Sequence, residues 1–238
     1  MFGDEGIPSP RPLSYTRPLT MEVRRGGCRA HVVVPEKPRG RGVLVLHEAF
    51  GLNDDIRRIA GRFAGEGYVA VAPALFGGPR CLGRTLREEA RGKELDGWRD
   101  WMRDQHGVEH AGIIGFCMGG GFALGHAATG ADFDAVSVNY GMVPPGDLSR
   151  VCPVVGSYGE LDKMFVPQAA RLVELLVKAG VEHDVKVYPG AGHSFLNQHE
   201  GWQKALEKLP NPMAAGYQEA AAEDAWARIF AFFEKHVA

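Results

Sequence analysis

Neither sign of charge dominates this sequence. Its 27 Lys and Arg residues nearly balance its 29 Asp and Glu residues, so the formal net charge is −2. The longest basic clusters are as short as Arg24-Arg25. A protein that binds nucleic acid or an anionic membrane presents a basic patch or stripe. We therefore expect no nucleic-acid partner and no membrane partner.

Long apolar runs and paired cysteines are also missing. No stretch approaches the roughly 18 consecutive apolar residues of a membrane span. The Pro-rich, polar N-terminus lacks the apolar core of a secretory signal. No CxxC pair occurs, and the interpretation is reduced thiols rather than a disulfide framework at the four cysteines, Cys28, Cys81, Cys117 and Cys152. These absences predict a cytoplasmic protein.

The chain has 238 residues, of which 45% are hydrophobic, and this suits one large domain with a substantial core. We predict an extended N-terminal arm over residues 1–18, where four prolines prevent regular structure. Residues 19–238 are predicted to form a single domain. Uninterrupted apolar runs such as "GVLVL", "YVAVAP" and "AGIIGF" are typical of strands buried on both faces.

Strand-like and helix-like segments alternate along the chain, which predicts an α/β fold: a mostly parallel sheet with helices on both faces. A hairpin is expected around Gly26-Gly27, where two short strand patterns meet. Helices are predicted from Asp54 to about Ala64, from about Thr85 to Gln105, over 118–129, from Phe165 to Ala179 and from Tyr217 to His236.

Chemically active side chains follow several of the predicted strands. In open α/β sheets, functional groups collect at the carboxyl ends of the strands. The residues just after the strands are Glu48, Pro73, Cys117, Tyr140, Asp162 and His193. A thiol, a carboxylate and an imidazole are the parts of a nucleophilic site, and they occur here in the order Cys, Asp, His.

The segment "GFCMG" matches the G-x-nucleophile-x-G elbow, with Cys117 as the nucleophile. In that turn Gly115 and Gly119 leave room for neighbouring backbone, and the helix N-terminus stabilises a thiolate. The backbone N–H of Met118 can stabilise an oxyanion. The alternative is a buried cysteine among small residues, because free cysteines are often buried. The flanking glycines favour the nucleophile.

His193, in the loop "GAGHSF", is the expected general base, and Asp162 is expected to orient it. Each has a simpler interpretation, as an ordinary loop histidine and as a turn-forming aspartate. Glu160 is the nearby competitor of Asp162. Seven further histidines are interpreted as ordinary surface or loop residues: His31, His106, His110, His126, His183, His199 and His236.

From about Val32 to the C-terminal helix, the sequence resembles the dienelactone hydrolase (carboxymethylenebutenolidase-like) family of α/β-hydrolases. The motifs "LHEAFGL", "GFCMGG", "YGELD" and "AGHSF" carry the resemblance. It implies an α/β-hydrolase fold, a triad of Cys117, His193 and Asp162, and a role for Glu48, which in such enzymes contacts the resting thiol and moves when substrate binds. It also implies that the Ala49 N–H is the second oxyanion donor. For Glu48, a solvated loop carboxylate is the alternative.

The sequence departs from the family where dienelactone-cleaving members grip a substrate carboxylate with two arginines. One of these positions is Asn197, and the other lies near Gly78, two residues before Arg80. Arg80 and Asn197 are therefore the substrate-binding candidates. A less charged ester, lactone or thioester becomes at least as good a candidate substrate as dienelactone.

Together these observations predict a cysteine-dependent hydrolase that cleaves a small ester or lactone through a thioacyl-enzyme. No metal or organic cofactor is expected, because no H-x-x-x-H pair lies on a predicted helix and no Cys/His cluster occurs. A monomer or small homo-oligomer is expected. The alternative is a non-hydrolytic thiol module of the same fold, which senses oxidants or binds a small carbonyl ligand at Cys117.

Overall fold

A computed structural model describes residues 17–207 and 212–238 of the chain. Eight strands in these residues form one sheet: β1 (Leu19–Arg25), β2 (Cys28–Val34), β3 (Arg41–Leu46), β4 (Val69–Pro73), β5 (His110–Phe116), β6 (Ala135–Asn139), β7 (Val154–Gly159) and β8 (His183–Tyr188). Their order across the sheet is β1-β2-β4-β3-β5-β6-β7-β8. Of the predicted N-terminal arm, residues 1–16 lie outside the described residues.

The strands from β4 across to β8 pair in parallel, and β2 joins β4 antiparallel. The hairpin of β1 and β2 was predicted, and its turn residues Gly26 and Gly27 both have positive φ. A positive φ costs glycine little because it has no Cβ. The mostly parallel sheet confirms the predicted α/β class.

Helices α1 (Asp54–Gly65), α2 (Pro79–Thr85), α3 (Glu88–His106), α4 (Met118–Ala128) and α5 (Val166–Ala179) lie in the connections between parallel strands, and α6 (Gly201–Glu207) and α7 (Glu219–His236) follow β8. The buried residues of α3, α4 and α5 pack on one face of the sheet, and those of α1 and α7 pack on the other. Apolar strands thus gain a hydrophobic layer on each side. None of the helices in the described ranges is long and apolar enough to span a membrane.

One predicted helix begins slightly later than expected, and two short helices were not predicted. The helix predicted from about Thr85 to Gln105 corresponds to α3, which begins at Glu88, and the preceding helix α2 was not predicted. Helix α1 begins at Asp54 as predicted, and the side chain of its N-cap residue, Asn53, accepts a hydrogen bond from the Ile56 N–H at 2.9 Å. Helix α6 was not predicted at all, because its seven residues are too few to show a helical period.

The cysteine prediction was wrong for one pair. Cys28 and Cys81 form a disulfide, with their Cα atoms 5.7 Å apart, and join the start of β2 to α2. Spacing along the chain gave no sign of this pair, since 53 residues separate the two cysteines. Cys117 and Cys152 are free.

Candidate active site

Cys117 lies in a tight turn between β5 and α4 and is the N-cap of α4. Its backbone adopts φ 53° and ψ −118°, a conformation that non-glycine residues rarely adopt and that costs about 1–3 kcal/mol. Surrounding contacts hold it there: the Cys117 N–H donates to the Asn139 carbonyl at 3.0 Å, and the Cys117 carbonyl accepts from Gly120 N–H. The side chain therefore projects from the turn, as the elbow motif predicts.

The glycines on either side of Cys117 are required by close backbone approach. A Cβ on Gly115 would overlap the Gly119 carbonyl, and a Cβ on Gly119 would lie 2.5 Å from the carbonyl oxygens of Leu46 and His47. Real Cβ atoms do not approach backbone so closely. The predicted role of these two glycines is confirmed, and the close packing of α4 against the end of β3 brings Cys117 near the loop that carries Glu48.

His193 and Asp162 meet although 31 residues separate them. The His193 Nδ1 and Asp162 Oδ2 atoms are 2.5 Å apart, and Asp162 is fully buried. The other carboxylate oxygen, Oδ1, accepts from the Met164 and Phe165 N–H groups at 3.2 Å each. These bonds fix the carboxylate, so Nδ1 carries the proton and Nε2 is the atom available for proton transfer.

Two aromatic rings hold the His193 imidazole in place, with centroid distances of 4.9 Å to Tyr140 and 4.8 Å to Phe165. Its Nε2 atom is buried and has no hydrogen-bond partner among the described residues that meets bonding geometry. Burial lowers the pKa of His193, but the bond with Asp162 and the neighbouring Cys117 side chain outweigh it and raise the pKa to about 9. Cys117 and His193 border the same cavity, and Asp162 is bonded to His193. The three predicted triad residues therefore lie close together.

The loop after β3 is fixed by the buried side chain of His47. The Leu75 N–H donates to Nε2 at 3.0 Å, so the ring proton sits on Nδ1, which donates to the Glu48 carbonyl at 2.7 Å. Burial lowers the pKa of His47 and favours this neutral form. Ala49, the next residue, borders the same cavity as Cys117. Met118 is the first residue of α4, where the helix leaves N–H groups unused.

Glu48 is buried at the cavity that Cys117 borders. Ser194 donates to its Oε2 atom at 3.1 Å, and His199 Nε2 bonds its Oε1 atom. The alternative of a solvated carboxylate is thereby excluded. Both carboxylate oxygens are engaged by these partners, which the resemblance did not indicate.

The interpretation of His199 as an ordinary surface or loop residue was wrong. Its side chain is 1% exposed and connects Glu48 to Glu207 of α6, whose Oε1 lies 2.5 Å from His199 Nδ1. Burial lowers the pKa of His199, but the two carboxylates outweigh it and raise the pKa to about 9. The sequence offered no signal, because Glu207 lies in a helix too short to predict.

His31 and His126, also assigned to the surface or loops, are largely buried too. His31 Nδ1 lies 3.0 Å from Glu22 Oε1, and His126 Nε2 lies 2.9 Å from Asp96 Oδ1. Neither borders a cavity that contains Cys117.

In the described ranges of the chain, Cys117 lines two cavities. The larger, of about 410 Å³, is the histidine cavity, bordered by His193, Glu48, Ala49 and the loop and helix around His199 and α6. The smaller, of about 300 Å³, is the apolar cleft, and its lining residues besides Cys117 are Met118, Gly121, Phe122, Met142, Pro144 and Phe165.

Neither substrate-binding candidate borders these cavities in the described chain. Asn197 is fully buried: Tyr140 donates to its Oδ1 atom, and its Nδ2 group donates to Asp55 Oδ2 at 2.6 Å. Arg80 is exposed on α2 and covers Gly27 in the hairpin turn at the sheet edge. The structure gives no support to a substrate contact by either residue.

The bonds of His199 to Glu48 and Glu207 predict that the contribution of His199 to stability depends on pH. Because the folded pKa is raised from 6.5 to about 9, the stabilisation is fully present below pH 6.5 and is lost as pH rises through about 9. We expect the free energy of unfolding of the wild type, relative to His199→Gln, to decrease between pH 6.5 and 9 in urea titrations. Burial lowers the pKa of His106, so His106→Gln should show no such slope above pH 6.5. A difference in unfolding free energy between wild type and His199→Gln that stays constant over this pH range would contradict the bonding of His199 to the two carboxylates.

Comparison with known proteins identifies the family. The model of the dienelactone hydrolase family matches residues 28–237. The chain belongs to the dienelactone hydrolase family. A "Putative carboxymethylenebutenolidase" of Saccharolobus solfataricus is 28% identical, with 87% of this chain and 93% of that protein covered. "Protein usf" of Aquifex pyrophilus is 30% identical over 88% and 94% of the two chains.

Solved structures of the family share the fold. The structure of a "Putative Dienelactone Hydrolase" of Klebsiella pneumoniae has a TM-score of 0.74 at 24% identity, and the match covers 93% of this chain and 100% of that one. A dienelactone hydrolase-like promiscuous phosphotriesterase from metagenomic libraries has a TM-score of 0.77 at 22% identity, with 93% and 98% covered. The predicted α/β-hydrolase fold is confirmed, and so is the enzyme class, a carboxylic ester or lactone hydrolase.

Proposed function

We propose that this member of the family cleaves a small ester or lactone with Cys117 as its nucleophile, through a thioacyl-enzyme. One observation carries the proposal: Cys117 projects from the strained turn into the cavity that also exposes His193, which is bonded in turn to Asp162. A nucleophile, a base and a group that orients the base are the required parts of such a site.

In the first half of the reaction, the Cys117 sulfur attacks the carbonyl carbon and the ester C–O bond breaks. His193 Nε2 holds the thiol proton and delivers it to the leaving oxygen. The N–H groups of Met118 and Ala49 stabilise the oxyanion, and removal of one such donor typically costs roughly 3–4 kcal/mol. In the second half, His193 takes a proton from water, which attacks the thioester and releases the acid.

Glu48 takes part as another residue that lines the histidine cavity. A carboxylate near the thiol opposes the formation of a second negative charge and so protects the resting cysteine from oxidation. Its bonds to Ser194 and His199 place that charge at the cavity border. The proposal needs no metal or organic cofactor.

Intact-mass measurement tests the proposal directly. Mixed with p-nitrophenyl acetate and quenched within the first turnovers, the wild type should gain one acetyl group, and peptide mapping should place it on Cys117. Product release should continue over many turnovers. A single stoichiometric burst without further release would instead favour the non-hydrolytic thiol module, and an acyl group elsewhere would contradict the assignment of the nucleophile.

The cytoplasmic location stays a prediction. One of its grounds, that all cysteines are reduced, no longer applies, because Cys28 and Cys81 are joined. A monomer or small homo-oligomer likewise stays a prediction.

A further inference from the structure

The two cavities around the nucleophile share one lining residue among those described, Cys117 itself. An ester has two parts, an acyl group and an alcohol, and they lie on either side of the carbon that the sulfur attacks. The sulfur therefore lies where each cavity can receive one part of the substrate.

Proton transfer by His193 decides which cavity receives the alcohol and which receives the acyl group. His193 must deliver its proton to the leaving oxygen, and it borders the histidine cavity but not the apolar cleft. The alcohol therefore belongs in the histidine cavity. Once it leaves, water enters the same space and loses its proton to the same His193 Nε2 atom. The acyl group, which stays on Cys117 during this exchange, must lie in the apolar cleft.

No charged or polar side chain other than the Cys117 thiol lines the described part of the apolar cleft. Two arginines contact lining residues of the cleft but do not line it themselves. Arg91 stacks on the Phe122 ring at 4.2 Å and donates to the Thr85 carbonyl, while Arg171 lies 3.4 Å from the Pro144 carbonyl oxygen. A carboxylate on the acyl group would lie against this apolar lining without a cationic side chain among the lining residues, which is unfavourable.

We propose that the apolar cleft is the acyl site, and that the preferred substrates are esters of uncharged, apolar acyl groups rather than of acyl groups that carry a carboxylate. This inference rests on the proposed function, since it needs Cys117 to be the acylated atom. During acylation the S–C bond forms as the ester C–O bond breaks, and the proton passes from His193 to the alkoxide. During deacylation a C–O bond forms from water as the S–C bond breaks, and the water proton passes through His193 to the Cys117 sulfur.

A series of p-nitrophenyl esters tests the acyl site, because the leaving group stays constant while the acyl group changes. We expect kcat/KM to rise about fourfold for each added methylene from acetate to hexanoate, as burial of each methylene in an apolar site implies. The p-nitrophenyl hemiester of glutarate should react at least tenfold more slowly than the hexanoate ester.

Variants at Met142 test whether the preference for apolar acyl groups arises in the apolar cleft. This cleft residue is 59% exposed, so its replacement should not prevent folding. Met142→Ala should lower kcat/KM for the hexanoate ester but not for the acetate ester, and Met142→Arg should shift the preference at least tenfold toward the glutarate hemiester. Val177→Arg is the matched control, since Val177 is 64% exposed on α5 and borders neither cavity; it should leave the preference unchanged.

The outcomes separate the two proposals. If Cys117 is acylated but the chain-length series is flat, or the glutarate hemiester is preferred by the wild type, the acyl-site inference is wrong and the cysteine mechanism stands. An unchanged preference in Met142→Arg would also overturn the inference. If Cys117 is never acylated, both proposals fail.

Discussion

Cys117→Ala is expected to lower kcat/KM for p-nitrophenyl ester hydrolysis by about 10⁴-fold or more, the scale of loss when the nucleophile of a catalytic triad is removed. The variant removes only the sulfur atom and keeps the turn between β5 and α4. Its residual rate would report what the oxyanion donors and the cavity achieve without covalent chemistry.

Cys152→Ala is the matched control, because Cys152 is the other free cysteine of the described chain. Burial raises the pKa of the Cys152 thiol to about 12, so it stays protonated and unreactive at neutral pH. We expect wild-type turnover from this variant and, in intact-mass experiments, one acetyl group still on Cys117. Unchanged turnover in Cys117→Ala would disprove the proposed mechanism.

The second large effect is expected from Asp162→Asn. Its carboxylate fixes the Nδ1 proton of His193 and helps to raise the pKa of His193 to about 9 against the effect of burial. The amide preserves the shape but removes the charge, and we expect kcat to fall by roughly 10⁴-fold, the scale of loss for a triad carboxylate. The pKa of His193, followed by NMR of the imidazole carbons, should fall at the same time.

Glu160→Gln is the control that distinguishes Asp162 from the nearby carboxylate of Glu160. Glu160 is exposed, and its Oε2 atom accepts a hydrogen bond from the Gly190 N–H at 2.9 Å, away from His193. We expect its turnover and the His193 pKa to match those of the wild type. A loss in Glu160→Gln as large as in Asp162→Asn would contradict the assignment of the triad carboxylate.

Much of the fold could be predicted because its signals are local. Buried strands such as β3 and β5 are continuous apolar runs, and the elbow at Cys117 has a defined spacing of glycines. The rule that functional groups follow strand ends then brought together Cys117, Asp162 and His193. Sequence analysis missed features whose signal was short or depended on distant pairing, such as the seven-residue helices α2 and α6 and the Cys28–Cys81 disulfide.

The sequence by itself determined the order of strands and helices, the strained turn and the identity of the chemical groups, because apolar period and glycine spacing act over a few residues. The tertiary structure alone decided which side chains surround them. His199 bonds Glu48 although 151 residues separate them in the sequence. Asn197 donates a hydrogen bond to Asp55 in the interior instead of facing a substrate. The apolar cleft forms where α4 meets two separate loops. Such contacts depend on how whole elements pack, and no local pattern of residues encodes them.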